Sequence, residues 1–447
     1  MSSNRIAVVG AGITGLTAAY KIQKAGYHVD VYEAKEETGG AIKTVQNSGW
    51  TVEYGPNTIL LKEKIVNEFL RELGLTESIL PANSQAENRF IIKNSELEPL
   101  PDSLISAVKT PLFTLKGKAR VLVEPFIKTS SNRDQSIADF VERRLGSEIL
   151  EYAINPFVAG IFANNPENLS LRHAFPLMDK MEQNFGSLIW ASVAGSKERK
   201  DKGRIPRQLI SFEDGLQQLP QTISNKLQNI HFGRSIQRIQ KTDGQWIVQG
   251  QNKKFGPYKK IILNIPLYKW HKNLLPITDD QLETLSEVSY PPISVLHLGY
   301  KKSDIIHPLN GFGFLVPQKE DRKILGALFP STLFPGRAPD DYHLLTVFIG
   351  GGRQPKLAKL DGKEILELAE SELNDLIGLR GKTQFKEHVY WPDSIPAYHI
   401  GYDTILQTID TIENQHPGLI LAGNYRNGIS VPDCIKNGLK LAEDITA

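Results

Sequence analysis

The sequence predicts an α/β fold: one discontinuous domain built on a parallel sheet, carrying α+β insertions, one helical and one rich in strands. Three observations predict it. The chain opens with an apolar run, a glycine-rich turn and a helical pattern. It closes with a second strand–loop–helix pattern. Between them the periodicity passes from mainly helical to mainly strand-like, with no internal repeat and no low-complexity tract. At 447 residues the chain exceeds the size at which single cores stop growing, so two or three domains are expected.

Residues 5–9 read as a buried parallel strand. Gly10-Ala11-Gly12-Ile13-Thr14-Gly15 follows, and then a helical pattern from Leu16 to Ala25 that Gly26 stops. Residues 28–32 read as a second strand ending at Glu33. Each piece has a physical task. Gly10 allows the tight turn, Gly12 admits a pyrophosphate close to the backbone, and Gly15 lets helix and strand pack closely. The helix N-terminus offers unpaired N–H groups and a positive dipole end to phosphate. Glu33 can accept hydrogen bonds from ribose hydroxyls. A glycine turn without a ligand is the plain alternative, but the strand, helix and following acid together make a Rossmann-like dinucleotide site.

The next segment separates one dinucleotide from another. Residues 34–40 read AKEETGG, from Ala34 to Gly40. This resembles the extended FAD signature of glutathione-reductase and amine-oxidase type flavoproteins. Many relatives carry Arg after the paired glycines; here Ala41 stands there and Lys43 comes two later. Glu53-Tyr54-Gly55-Pro56-Asn57-Thr58 resembles the family's short loop beside the isoalloxazine ring. At the other end, residues 418–422 read as a strand and 423–428 as a loop. A helix follows from Ile429, with Pro432 in its first turn. In these flavoproteins that unit brings backbone N–H groups to the flavin.

In the middle, residues 62–73 read as an amphipathic helix, and 89–92 with 97–100 as two short strands joined across 93–96. Residues 102–200 are largely helical in pattern. Residues 215–227 read as helix, 234–262 as strands around Thr242-Asp243-Gly244, 292–350 as strands and 362–378 as an amphipathic helix.

Five segments then resemble the protoporphyrinogen oxidases of heme biosynthesis and the similar coproporphyrinogen oxidases of Gram-positive bacteria, over nearly the whole chain. They are GAGITGL at the start, EYGPNT at 53–58, NRFIIKNSELEPLP at 88–101, NPFVAGIFANNPENLSLRHAFP at 155–176 and LAGNYRNGISVPDCI at 421–435. GFGFLVP at 311–317 and SIPAY at 394–398 add to them. The resemblance implies an FAD-binding domain over 1–87, 205–275 and 405–447. It implies a sheet-rich substrate-binding domain over 88–101 and 276–404, and a helical, membrane-associated-type domain over 102–204.

It also implies residue roles. Arg89 matches an arginine that pairs with a substrate propionate in the protoporphyrinogen branch, which favours that branch over coproporphyrinogen. Phe312 and Leu315 match residues packing on the tetrapyrrole faces. Gly160 matches a glycine whose backbone lies against substrate, and Phe348 an apolar residue near the flavin. Glu33, Asn57, Ile236, Asn424, Ile429 and Val431 match FAD contacts. The motifs themselves add Gly10 to Gly15, Ala34, Gly40, Ala41, Gly55, Pro56, Thr58, Gly423 and Ser430. No catalytic acid or base is expected beyond the flavin. Its implied task is to take hydrogen from the saturated meso bridges of a porphyrinogen in three two-electron rounds, with molecular oxygen as acceptor and hydrogen peroxide as product.

Composition limits the alternatives. Net charge is +2, with no long like-charge run, which gives no pull toward nucleic acid. The lone Cys434 excludes an internal disulfide, fits a reducing, cytoplasmic compartment, and lies in no setting for covalent flavin attachment. The ten histidines form no metal motif. No signal peptide or transmembrane stretch is expected. Residues 104–127 interleave Leu104, Ile105, Val108, Leu112, Phe113, Leu115, Val121, Leu122, Val123 and Phe126 with Lys109, Lys116, Lys118 and Arg120. That fits a peripheral, cytoplasmic-face membrane contact or, equally, a core helix with a basic face. Rival functions remain open: another flavin amine oxidase or desaturase, or a tetrapyrrole-binding protein that holds FAD without turnover. Homodimerisation is left open too.

Overall fold

The computed structural model of the chain describes residues 4–86, 88–198, 204–251 and 253–447. The expected boundary at residue 87 lies outside them. A five-stranded parallel sheet organises the first half of the architecture. Its order is Asn229–His231, His28–Tyr32, Arg5–Val9, Lys260–Leu263, Leu419–Leu421. From Arg5–Val9 the next strand lies on one side and the return strands on the other, so a topological switch point falls at Gly10. Alternate residues feed two cores. Ile6, Val8, Val29, Val31 and Ile262 pack under the helices Ile13–Lys24, Lys64–Glu72 and Val431–Thr446. Ala7, Val9, Tyr32, Ile261 and Leu263 pack under the antiparallel strands Arg238–Thr242, Gln245–Gln249 and Lys254–Tyr258 and the helix Tyr402–Gln415.

The second large sheet has seven strands, in the order Phe385–Trp391, Ile293–Lys301, Tyr342–Gly350, Gly326–Leu328, Gly311–Leu315, Asn88–Lys93, Glu96–Pro99. Only the Gly311–Leu315 and Asn88–Lys93 pair is parallel. One face buries Phe90, Leu296, Phe314 and Val347 against the helix Gly362–Ile377. That helix opens with Asp361 and Glu364 in a reciprocal cap and closes at left-handed Gly378. The other face carries the candidate site.

The structure departs from the sequence reading in places that have local causes. Residues 104–127 are not one helix. They form Leu104–Lys109, Leu115–Leu122 and the turn Glu124–Phe126. Pro111 disfavours helix at Thr110, while Ser103 and Thr114 each cap a new start. Leu112 is buried, but Ile105, Val108, Leu115, Leu122 and Phe126 are 71–85% exposed, so the stretch is no core helix. Lys118 donates to the Val108 and Thr110 carbonyls, and Arg120 to those of Arg143 and Arg144. The last helix begins at Val431, because Ser430 accepts the Asp433 N–H and acts as the cap. The hairpin of Thr44–Asn47 with Trp50–Glu53 had no periodic signal to reveal it. No helix among the described residues is long and apolar enough to cross a membrane.

The helical block is stapled from inside by charge. Arg144, Glu124 and Glu182 have no exposed side-chain surface, and the guanidinium reaches Glu124 at 2.8 Å and Glu182 at 2.7 Å. Arg143 adds a third contact at 2.9 Å to Glu182. Glu124 also accepts from Ser187 Oγ and the Leu188 N–H, and so caps the helix Leu188–Glu198. Burial would raise both carboxyl pKa values, but the hydrogen bonds and arginine charges outweigh it and hold them below the usual range. Removing the Arg144 cation should leave buried Glu124 without a charge partner and Glu182 with Arg143 alone. Arg144→Ala is therefore expected to cost about 3–5 kcal/mol, read from the urea unfolding midpoint. Because these carboxyls are depressed on folding, their contribution is present above the ordinary carboxylate pKa. It should be lost as pH falls below about 4.

Candidate functional site

The Gly10–Gly15 turn leaves the C-terminal end of the central strand at the switch point. Gly10 has φ +101°, and a side chain there would collide with the backbone of Asn264. A Cβ on Gly15 would stand 2.6 Å from the Gly10 carbonyl and 3.1 Å from Val8. The helix Ile13–Lys24 has Gly12 as its N-cap, with no side chain closing its first turn. Thr14 is buried beneath it. Glu33 lies at the end of the second strand. One carboxylate oxygen accepts the Ala11 N–H at 2.8 Å and the other the Lys35 N–H at 2.9 Å. The acid thus braces the glycine turn. Arg234 N–H donates to the Glu33 carbonyl, which brings the segment leading to buried Ile236 beside it.

Two further loops close on this turn. Gly39 N–H donates to the Ala11 carbonyl, and Gly40, with φ +65°, lies against Gly12. Gly55 lies so close to the Ala41 carbonyl that a Cβ would overlap it. Ala34, Gly40 and Ala41 are exposed, and Gly55, Pro56, Asn57 and Thr58 partly so. From the C-terminal end, Ala422 N–H pairs with the Leu263 carbonyl, delivering Gly423 and Asn424 to the same sheet edge. Ile429 bridges the sheet core and the helical block, and Ser430 and Val431 open the last helix. That helix crosses the first so closely that a Cβ on Gly438 would stand 2.6 Å from the Thr14 carbonyl.

Opposite these loops lies the open face of the seven-stranded sheet. Register places Leu315, Gly326, Phe348 and Val295 in one row, and Gly313, Leu328, Thr346 and His297 in the next. Directly paired residues share a face. Gly313 and Gly326 have φ +144° and +155°, and neither has room for a side chain. Gly326 therefore presents no side chain between Leu315 and Phe348, and the Leu315 side chain leans over it. Gly160, on the helix Asn155–Phe162, meets it from above, where a Cβ would stand 2.8 Å from Leu315. Arg89 is register-paired with Gly313 at the exposed edge, with its guanidinium 5.7 Å from the Phe312 ring centre. A bulge between Gly311 and Gly313 turns Phe312 toward Leu333 and Phe334.

Asn57 and this face line one cavity, together with Thr51, Glu53, Leu328, Arg337 and Thr346. Residues the sequence reading missed hold the two sides in register. The Tyr54 hydroxyl donates to Glu387 at 2.8 Å, its ring stacks 6.2 Å from His297, and Trp391 Nε1 donates to its carbonyl. His297 is fully buried on Thr346, and burial pushes its pKa down to about 3, so it is neutral. Burial pushes Glu53 up to about 7, against the hydrogen bonds from Leu216 N–H and Thr44 Oγ1. The EYGPNT motif marked Tyr54 and Glu53. His297, Glu387 and Trp391 gave no local signal, because their role exists only across the sheet.

The donor set fits a dinucleotide: a turn that excludes side chains, a helix N-terminus without a side-chain cap, an acid at the ribose position, and a second helix start at the same edge. With an apolar sheet face opposite, fold and site define a protein of the dinucleotide-binding class. The chain belongs to the family described as flavin containing amine oxidoreductase, whose model matches residues 13–446. It is 35% identical to protoporphyrinogen oxidase 2 of Arabidopsis thaliana, over 99% of this chain and 94% of that protein. It is 25% identical to coproporphyrinogen III oxidase of Bacillus subtilis strain 168, over 98% and 97% respectively. A solved structure from Exiguobacterium sp. 255-15, assigned provisionally to the protoporphyrinogen oxidases, superposes with a TM-score of 0.84 at 25% identity. It covers 100% of this chain and 99% of that one. The chain is thus a flavin-dependent oxidoreductase.

The Glu53 carboxyl gives a measurable signature. Its folded pKa is raised, so the wild type should lose stability as pH rises from the unfolded carboxylate value toward about 7, and then level off. Glu53→Gln removes the charge; its Oε1 can still accept the Leu216 N–H, while its Nε2 would donate to Thr44 Oγ1 where Glu53 accepts from it. Its unfolding free energy relative to wild type should climb by roughly 2 kcal/mol between pH 5 and pH 8, measured by denaturant titration at each pH.

Proposed function

We propose that this protein oxidises protoporphyrinogen IX to protoporphyrin IX, with non-covalently held FAD, molecular oxygen as acceptor and hydrogen peroxide as product. One observation carries the reading: the flat, apolar sheet face between Leu315 and Phe348, closed by Gly160 and edged by Arg89. A broad apolar macrocycle needs flat walls, and its propionates need a cation at the rim. The higher identity to a protoporphyrinogen oxidase than to a coproporphyrinogen oxidase supports the same choice.

Bound flavin supplies the two-electron acceptor for hydrogen leaving a meso bridge. The chain does the rest. Gly10 to Gly15, Glu33, Ala34, Gly40 and Ala41 take the dinucleotide's phosphates and ribose. Gly55 to Thr58, Ile236, Gly423, Asn424, Ile429, Ser430 and Val431 line its ring end. Arg89 binds a propionate and fixes the ring's rotation, and Phe312 holds the guanidinium in place. Leu315, Gly160 and Phe348 exclude water from the reacting bridge. Protoporphyrinogen loses six hydrogens and three oxygen molecules become three hydrogen peroxide molecules, so the sum balances without an acid or base from the chain.

The division follows the chain as 1–87, 205–275 and 405–447 for FAD, 88–101 and 276–404 for substrate, and 102–204 for a peripheral contact with the cytoplasmic face of a membrane. Exposed Leu115, Leu122, Phe126 and Trp190 support that contact.

The test is porphyrin fluorescence under air from the FAD-loaded protein, with each porphyrinogen supplied separately. Protoporphyrinogen is expected to give the faster rise. A clear preference for coproporphyrinogen would move the substrate and keep the chemistry, and no emission above the spontaneous rate from either would end the reading. Arg89→Ala should raise KM by about tenfold or more while flavin content stays that of wild type.

A further inference from the structure

Tyr398 ends the SIPAY segment, and no step above uses it. It is 3% exposed. Its hydroxyl donates to the Asn424 carbonyl at 2.6 Å and accepts the Gly428 N–H at 3.0 Å. One oxygen thus closes both ends of the 423–428 loop. That loop needs an external tie. Gly423, Asn427 and Gly428 have φ of +153°, +64° and +114°, and Asn427 holds the left-handed conformation with a side chain attached. Four residues on, the buried Tyr402 hydroxyl donates to the Tyr425 carbonyl at 2.7 Å. Burial pushes the Tyr398 pKa far up, so the hydroxyl remains a donor throughout the working range.

The other side of Tyr398 is held by the helical block. Its carbonyl accepts the Ser170 N–H at 2.8 Å, and His399 bridges Leu169. Asp134 accepts from Ser170 Oγ at 2.7 Å with one oxygen and from the Gly401 N–H at 2.5 Å with the other. The Phe162 ring, two residues beyond Gly160, lies 6.5 Å from the Tyr398 ring. One side chain therefore stands between the block that carries Gly160 and the loop that delivers Asn424.

We propose that Tyr398 is a positioning residue for the cofactor: its hydroxyl sets the backbone path of residues 423–428, and its own backbone, held by Ser170 and by Asp134 at Gly401, ties that path to the helical block. This rests on the reading that the 423–428 loop meets the flavin. Tyr398→Phe keeps the ring and its packing, and leaves the Asn424 carbonyl and Gly428 N–H without their partner. A filler of space would feel nothing beyond stability; a positioning residue changes how the flavin is held.

The experiment titrates apoprotein with FAD and records the visible circular dichroism of the bound flavin, for wild type, Tyr398→Phe, Asp134→Asn and the double variant. Tyr398→Phe is expected to weaken FAD binding about tenfold, change the dichroism, and lower kcat at unchanged KM. Asp134→Asn should shift binding less, in the same direction. The double variant should fall short of the product of the two effects, because they act through one contact chain. A folded Tyr398→Phe protein with FAD affinity within twofold of wild type and superimposable dichroism overturns the positioning role. If Tyr398→Phe does not fold, Asp134→Asn decides alone, and unchanged affinity and dichroism in it overturn the proposal. Wild type that binds no FAD would bring down the flavin-loop reading itself. Wild type that binds FAD but oxidises no porphyrinogen would remove the function and leave the Tyr398 test standing.

Discussion

The last helix of the chain crosses the first with no room for a side chain at residue 438, where a Cβ would stand 2.6 Å from the Thr14 carbonyl. Most of the molecule follows from that approach. It joins residues more than 400 positions apart and brings both helix starts, at Ile13 and Val431, to the end of the sheet where Gly10 turns. Two helix N-termini at one edge concentrate positive dipole ends where an anionic dinucleotide can use them. Between the two helices the chain leaves the parallel sheet and returns to it at Asn229–His231, Lys260–Leu263 and Leu419–Leu421. The helical block and the seven-stranded sheet are therefore inserts that a closed first domain presents outward.

The two sheets divide the work by their side-chain period. In the parallel sheet both faces are buried, so Ile6 and Val8 serve one core while Ala7 and Val9 serve the other. In the seven-stranded sheet the helix Gly362–Ile377 covers one face, and the other is met by a helix only at Leu315. This second face is not left polar, as a solvated face would be; it carries Leu315, Leu328 and Phe348 around two glycines. The helix Asn155–Phe162 approaches this face at Leu315 through Gly160, and a flat apolar face of this kind has the shape to take a flat ligand. Tyr54 keeps the groove and this face at fixed separation through Glu387, His297 and Trp391.

The helical block depends on a different balance. Its surface exposes Leu115, Leu122 and Phe126, so part of its apolar content is not available for a core. Arg144 with Glu124 and Glu182 ties its segments together instead. Such a network is geometrically demanding, because each charge is tolerated only with its partners in place.

Much of this was legible in the sequence by itself. Gly10, Gly12 and Gly15 between a strand and a helix, with Glu33 after the next strand, marked the parallel sheet and its turn at Gly10, because these constraints are local to the backbone. The motifs at 88–101, 155–176 and 311–317 identified the residues now found around the sheet face. Periodicity placed the helix at Gly362–Ile377 closely, because its apolar stripe is long and well capped. Only the tertiary structure decided the rest. It broke 104–127 into short helices, set Phe312 off the strand's alternation through a bulge, gave the Glu53 carboxyl its burial and placed Tyr398 between two domains. Each of these depends on contacts between residues far apart in the chain. A side chain's neighbours across a sheet or a domain boundary leave no period in its own stretch of sequence, and only folding brings them together.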